Sequence, residues 1–236
     1  MYKGKYLTNN KYPHPKHRLQ SLTKFYNYLQ LHHYRYSVLN LTLSYTDDTN
    51  HDPRNITKLL KFLRESVVVN DERLPIHHAW KLEHRASAKT NDKATGYHYH
   101  LFLLWNQDIE WRSNKIEDKL IKKWQKLGGV VNINSFYTTH KKVSSRYDNN
   151  QLVMRTESDK HAGLFHHLTY LTKEDSLQKL PDDYTGEEFQ TSQRNTSRLT
   201  AHKSIKHHNL TICAENEVAP KPELELIVFD EDELPF

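Results

Sequence analysis

The chain has 236 residues, which suits one domain of moderate size with extensions, or two small domains. Hydrophobic residues make up 36%, low for a wholly globular chain, so polar extensions are expected beyond a core of ~175 residues. Net charge is +5, with −7 confined to residues 214–236, so residues 1–213 carry +12. A basic body with an acidic tail points to a polyanionic partner, nucleic acid above all. A single cysteine, Cys213, excludes an intrachain disulfide. The start "MYKGKYLTNN" has no apolar signal core, and no run approaches the ~20 apolar residues of a membrane span, so a cytosolic protein with no membrane partner is expected.

In chain order, residues 1–16 read as an arm and 17–182 as the folded domain. Leu19, Leu22, Phe25, Tyr26 and Leu29 predict a helix over 18–33. Residues 36–46 alternate, with Val38, Asn40, Thr42 and Ser44 against Leu39, Leu41, Leu43 and Tyr45, and predict a strand. A helix over 52–67 follows, with Asp52 as cap and Pro53 at its first position. Residues 75–87 and 96–105 read as two strands of a hairpin, and 110–129 as a helix stopped by Gly128 and Gly129. "VVNINSFYTT" and 151–156 read as further strands, and 159–176 as a last helix. This order predicts an α+β fold, a central antiparallel five-stranded sheet with helices layered on one face. Residues 183–222 read as a flexible polar linker and 223–236 as an acidic tip.

The stretch "GYHYHLFLLW" puts His98 and His100 two residues apart on a strand, hence on one face. Two imidazoles can grip a divalent ion, and a third protein ligand completes a stable site. If residue numbers across the hairpin sum to about 183, Glu83 lies opposite His100 on that face, with a loop over Lys89–Ala94. A shift of one residue would offer His84 instead. Such a nitrogen and oxygen set suits Mn²⁺ or Mg²⁺ for phosphate chemistry, while Zn²⁺ accepts the same ligand types.

The second constellation is "FHHLTYLTKED". On a continuous helix Tyr170 stands on the side of His166, His167 and Lys173, away from Leu164, Leu168 and Leu171. A phenol in that place can attack phosphorus if it loses its proton, which Lys173 or a metal-polarised phosphate assists.

Together "LNLTLSY" (39–45), "HYHLFLLW" (98–105) and "YLTK" (170–173) resemble, in order and spacing, the motifs of the HUH endonucleases. The arrangement over residues 18–176 is more closely similar to the replication initiators of filamentous phages (the inovirus gene-product-two family). The resemblance implies an RRM-like sheet and rolling-circle initiation. A metal on His98, His100 and Glu83 would polarise the scissile phosphate, and Tyr170 would form a 5′-phosphotyrosine link. Lys173 would stabilise charge, and the freed 3′-OH would prime synthesis. Thr42, His166 and His167 would belong to the surface for single-stranded or origin DNA. With one well-placed tyrosine, the closing transfer needs another nucleophile, another subunit or re-use of Tyr170. Transposases and relaxases share this chemistry, and a non-catalytic single-strand binder is the reading from another class.

The ending "IVFDEDELPF" resembles the tip of bacterial single-stranded DNA-binding proteins. That likeness implies that Asp232, Pro235 and Phe236 dock on a host helicase or another protein that binds such tips. A free tail with a terminal aromatic and steering carboxylates is physically suited to this.

Overall fold

Residues 13–33, 35–46, 50–85, 96–110, 113–134, 150–154, 158–174 and 179–192 are described by a computed structural model. The alternating stretch of the sequence becomes β1 (Arg35–Tyr45), which lies inside the sheet. On one side it pairs with β5 (Gly96–Asn106), which pairs in turn with β4 (Ile76–Arg85). On its other side β6 (Gly129–Ile133) pairs with residues 41–45 and β7 (Asn150–Met154) with residues 35–39. The outer edge of β4 carries β8 (Phe189–Thr191). Every pairing is antiparallel, and the sheet is five strands wide because β6 and β7 share one edge of β1. The expected α+β class and sheet are therefore present.

Helices cover both faces rather than the one expected. On one face Leu39, Leu41, Leu43, Trp80, Tyr99, Leu101, Leu103 and Trp105 pack against α2 (Arg54–Ser66) and α3 (Asn114–Gln125). On the other, Tyr36, Val38, Ala79, Phe102 and Leu104 pack under α1 (Lys16–His32) and α4 (Ser158–Leu168). The reason lies in the second face. Its residues are apolar at one end of the strands and turn polar at the other, through Asn40, Thr42, Ser44, His98 and His100. A helix layer can bury the apolar end only. At the polar end Asn40, Thr42 and His100 line a cleft.

Four further departures from the sequence reading have local causes. A two-residue turn at Asn70 and Asp71, both at positive φ (50° and 64°), joins β2 (Val68–Val69) to β3 (Glu72–Arg73). These are the residue types that tolerate such a turn. The last helix does not run to 176. It ends at Leu168 and tightens into a 3-10 turn over Thr169–Thr172, after which Lys173 is extended. Thr169 Oγ1 donates to His166 O at 2.6 Å and Thr172 Oγ1 to Thr169 O at 2.9 Å, so both hydroxyls bond back onto the ending helix. The expected linker begins inside the fold. Leu82 N donates to Glu188 O (2.8 Å), Ser192 N to His78 O (2.8 Å) and Trp80 Nε1 to Gln190 Oε1 (3.3 Å). The expected arm is likewise engaged at its end, with Pro13 O accepting from Glu174 N (2.8 Å) and His14 Nδ1 lying 2.9 Å from Thr172 Oγ1. Among the described residues no helix is long and apolar enough to cross a membrane.

Candidate metal centre

β4 and β5 pair so that Glu83 faces His98 and Lys81 faces His100. The expected register put Glu83 across from His100, two residues away. A shift of two keeps every side chain on its face, so parity could select Glu83 and not its exact partner. His84 is excluded as third ligand. It pairs with Tyr97 on the opposite face, their rings 4.6 Å apart.

Glu83 Oε2 lies 3.0 Å from His100 Nε2 and 3.5 Å from His98 Nε2. Ligand atoms from the three residues fall within 4.8 Å of one another, close enough to hold a metal ion. His98 Nδ1 is 3.2 Å from the carbonyl of Gly96, whose φ of 87° is open chiefly to glycine. The tautomer that donates Nδ1–H to this carbonyl is the one whose Nε2 could hold a metal, and metal-binding histidines usually make such an outer hydrogen bond.

The other carboxylate oxygen belongs to lysines. Lys81 Nζ sits 2.8 Å and Lys173 Nζ 3.6 Å from Glu83 Oε1, and Lys81 also donates to Lys173 O at 2.7 Å. Glu83, Lys81, Lys173 and His98 are all buried. Buried charges persist only when paired and hydrogen-bonded. Burial alone would raise the Glu83 pKa, but hydrogen bonds from His100 and His98 and the charges of His100 and Lys81 outweigh it. The carboxyl is held well below its usual range. Burial pushes Lys81 down, with Glu83 opposing, and pushes His100 down against the same carboxylate. Lys81 and Lys173 thus share the Oε1 side of one buried carboxylate.

Tyr170 stands on the 3-10 turn with its ring edge-on to His100, 5.0 Å between centroids. Lys173 Nζ lies 3.8 Å from the centre of the Tyr170 ring. The expectation placed Lys173 beside Tyr170 on a polar helix face. The helix ends first, and the extended Lys173 turns inward, under the ring and toward Glu83. Thr42, His166 and His167, the expected DNA-surface residues, all line a cleft of about 290 Å³ with Asn40, His100, Phe102, Asn134 and Tyr170. Burial, with the charge of His166, pushes His167 down to about 4. Asp232, Pro235 and Phe236 lie outside the described residues.

Lys81 escaped the sequence reading although its parity with Glu83 was visible, because a lysine on a strand ordinarily reads as solvated. Asn40 shares the face of Thr42 and was legible in the same way. Nothing in the sequence marks Asn134, which enters the cleft just after β6 through its bond to β1. No protein-family model, curated protein or solved structure matches this chain.

Proposed function

We propose that the protein is a metal-dependent tyrosine endonuclease and strand transferase for single-stranded DNA, and that it starts rolling-circle replication of a phage or prophage. The observation that carries this reading is the Tyr170 ring set against His100, a member of a glutamate–histidine–histidine group able to hold a metal. The ion would be Mn²⁺ or Mg²⁺, held by Glu83 Oε2 and the Nε2 atoms of His98 and His100, with the carboxylate the donor that suits such an ion. When bound there, the ion supplies Lewis-acid polarisation of the scissile phosphate.

The residues of the chain do the rest. The Tyr170 oxygen attacks phosphorus and gives up its proton. The new P–O bond replaces the bond to the 3′ oxygen, which leaves as a 3′-OH. Tyr170 then holds the 5′ phosphate as an ester. Lys173, stacked on the ring, favours the phenolate through its charge. The reverse attack by a 3′-OH reseals the strand and frees Tyr170, so a single tyrosine serves both steps by re-use. The basic body holds the strand by phosphate pairing. Transposases and relaxases would use the same step on other DNA ends. A non-catalytic single-strand binder would hold DNA on the same face and form no adduct with Tyr170. The acidic tip, through Asp232, Pro235 and Phe236, recruits a host helicase or similar partner. Deleting Leu234–Phe236 should end that binding and leave nicking intact.

The test is a covalent band. Wild-type protein incubated with single-stranded DNA and Mn²⁺ should yield a protein–DNA adduct on a denaturing gel. Tyr170→Phe should yield none, and an adduct unaffected by this change would remove Tyr170 as the nucleophile.

A further inference from the structure

The chemistry above leaves one wall of the cleft without a task. Asn40 and Thr42 stand two residues apart on β1 and share a face. Asn134 is fixed beside them by a backbone bond from its N–H to Asn40 O (2.9 Å). Its Nδ2 donates to Asn40 Oδ1 (3.3 Å) and to Thr42 Oγ1 (3.0 Å). Both hydrogens of that amide are therefore engaged. Asn134 Oδ1, Asn40 Nδ2 and the Thr42 hydroxyl hydrogen remain to meet a ligand, one acceptor beside two donors.

The chemistry of this wall differs from that of the metal side. Among its described lining residues the cleft has no lysine, arginine or carboxylate. Nothing there is built to neutralise a phosphate, whereas Lys81 and Lys173 lie on the Glu83 side. Rings of His100, Phe102, His166, His167 and Tyr170 complete the lining, and His100 is where the cleft meets the metal group. A volume of about 290 Å³ stands at the lower end of the range for small-molecule sites, enough for one ring system rather than a run of residues. The group that matches is flat, uncharged and apolar on its faces, with donors and acceptors on its edge. A nucleobase has that form, and amide side chains and aromatic rings are how proteins read an unstacked one.

We propose that this cleft is the subsite for a single unstacked base next to the phosphate that Tyr170 attacks, read along its edge by Asn40 and Asn134. The inference rests on the single-strand endonuclease reading and gives that enzyme selectivity at one nucleotide.

Binding without catalysis tests it. The full chain in EDTA is titrated, by fluorescence anisotropy, into labelled oligodeoxyadenylate, oligodeoxycytidylate and oligodeoxythymidylate of equal length. The affinities of wild type should spread by about fivefold or more, the discrimination a paired base contact supplies. Asn134→Ala and, separately, Asn40→Ala should narrow the spread to within about twofold and leave the salt dependence unchanged, since phosphate contacts set that slope. Thermal melts identify folded variants, and either variant alone decides the matter. Equal affinities in wild type overturn the proposal, as does a spread that survives the substitution. The Mn²⁺ adduct assay judges the parent reading separately. Base preference without an adduct keeps the subsite and removes the endonuclease, while an adduct without base preference does the opposite.

Discussion

Glu83 has two oxygens with different duties. Oε1 accepts from Lys81 and faces Lys173, and Oε2 faces both histidines. The carboxylate is thus the shared counter-ion of two buried ammonium groups as well as a ligand. Glu83→Gln strands both lysines, and losing one partner of a buried pair costs about 3–5 kcal/mol. Lys81→Met leaves Lys173 on the same oxygen at 3.6 Å and should cost distinctly less. Urea unfolding of the two variants checks the order, and a Lys81→Met loss equal to that of Glu83→Gln would show that the lysines do not share this counter-ion. At this scale the sequence was legible wherever parity decides. It assigned Glu83, His98 and His100 to one face without knowing their register. It missed Lys81 because that lysine is buried by a turn far along the chain, whose Lys173 carbonyl it binds.

Elements whose pattern repeats over a full strand or several helical turns were readable, and short or polar ones were not. β2, β3 and β8 have two or three residues each, too few for alternation to register. The end of α4 escapes the sequence pattern because leucine spacing continues past Leu168 while the threonines close the turn. Gly128 and Gly129 stand where the sequence predicts a helix stop, and Gly128 has a φ of 82°. Gly129 has a further cause, since a Cβ there would fall inside the Trp124 indole, whose Nε1 donates to Ser44 O at 3.0 Å. Gly129→Ala should therefore destabilise by about 1–3 kcal/mol, the usual cost of overpacking, and should alter Trp fluorescence. Where α1 ends against β4, His33 and His77 meet with Nε2 atoms 3.1 Å apart. Burial, with the charges of His33, His78 and His32, pushes His77 down to about 3. His167 is likewise low, at about 4. The unfolded chain binds protons at these sites more readily than the folded one. Their contribution is therefore complete above about 6.5, the ordinary histidine value, and drains away as pH falls toward 4 and then 3. The urea midpoint should fall across that window, and His77→Leu should flatten part of the fall. A midpoint equally steep in the variant would assign the effect elsewhere.

One face of the sheet is largely apolar and the other changes character halfway. That change is written in the sequence, as "LNLTLSY" and "GYHYHLFLLW", but its meaning depends on α1 and α4 covering the apolar half. The chain divides into a unit of residues 1–195 and a second of 196–236. A chain ending at Asn195 should keep its melting temperature and its DNA adduct. One ending at Asp182 loses β8, exposes the β4 edge and the Trp80 side, and should melt lower. Equal melting of the two would deny β8 a part in the fold. The proposed activity depends on a covalent bond between Tyr170 and DNA. After reaction with single-stranded DNA and Mn²⁺, nuclease and trypsin treatment should leave a nucleotide mass on the peptide 161–173, which contains one tyrosine. A nucleotide found on a different peptide would contradict the account.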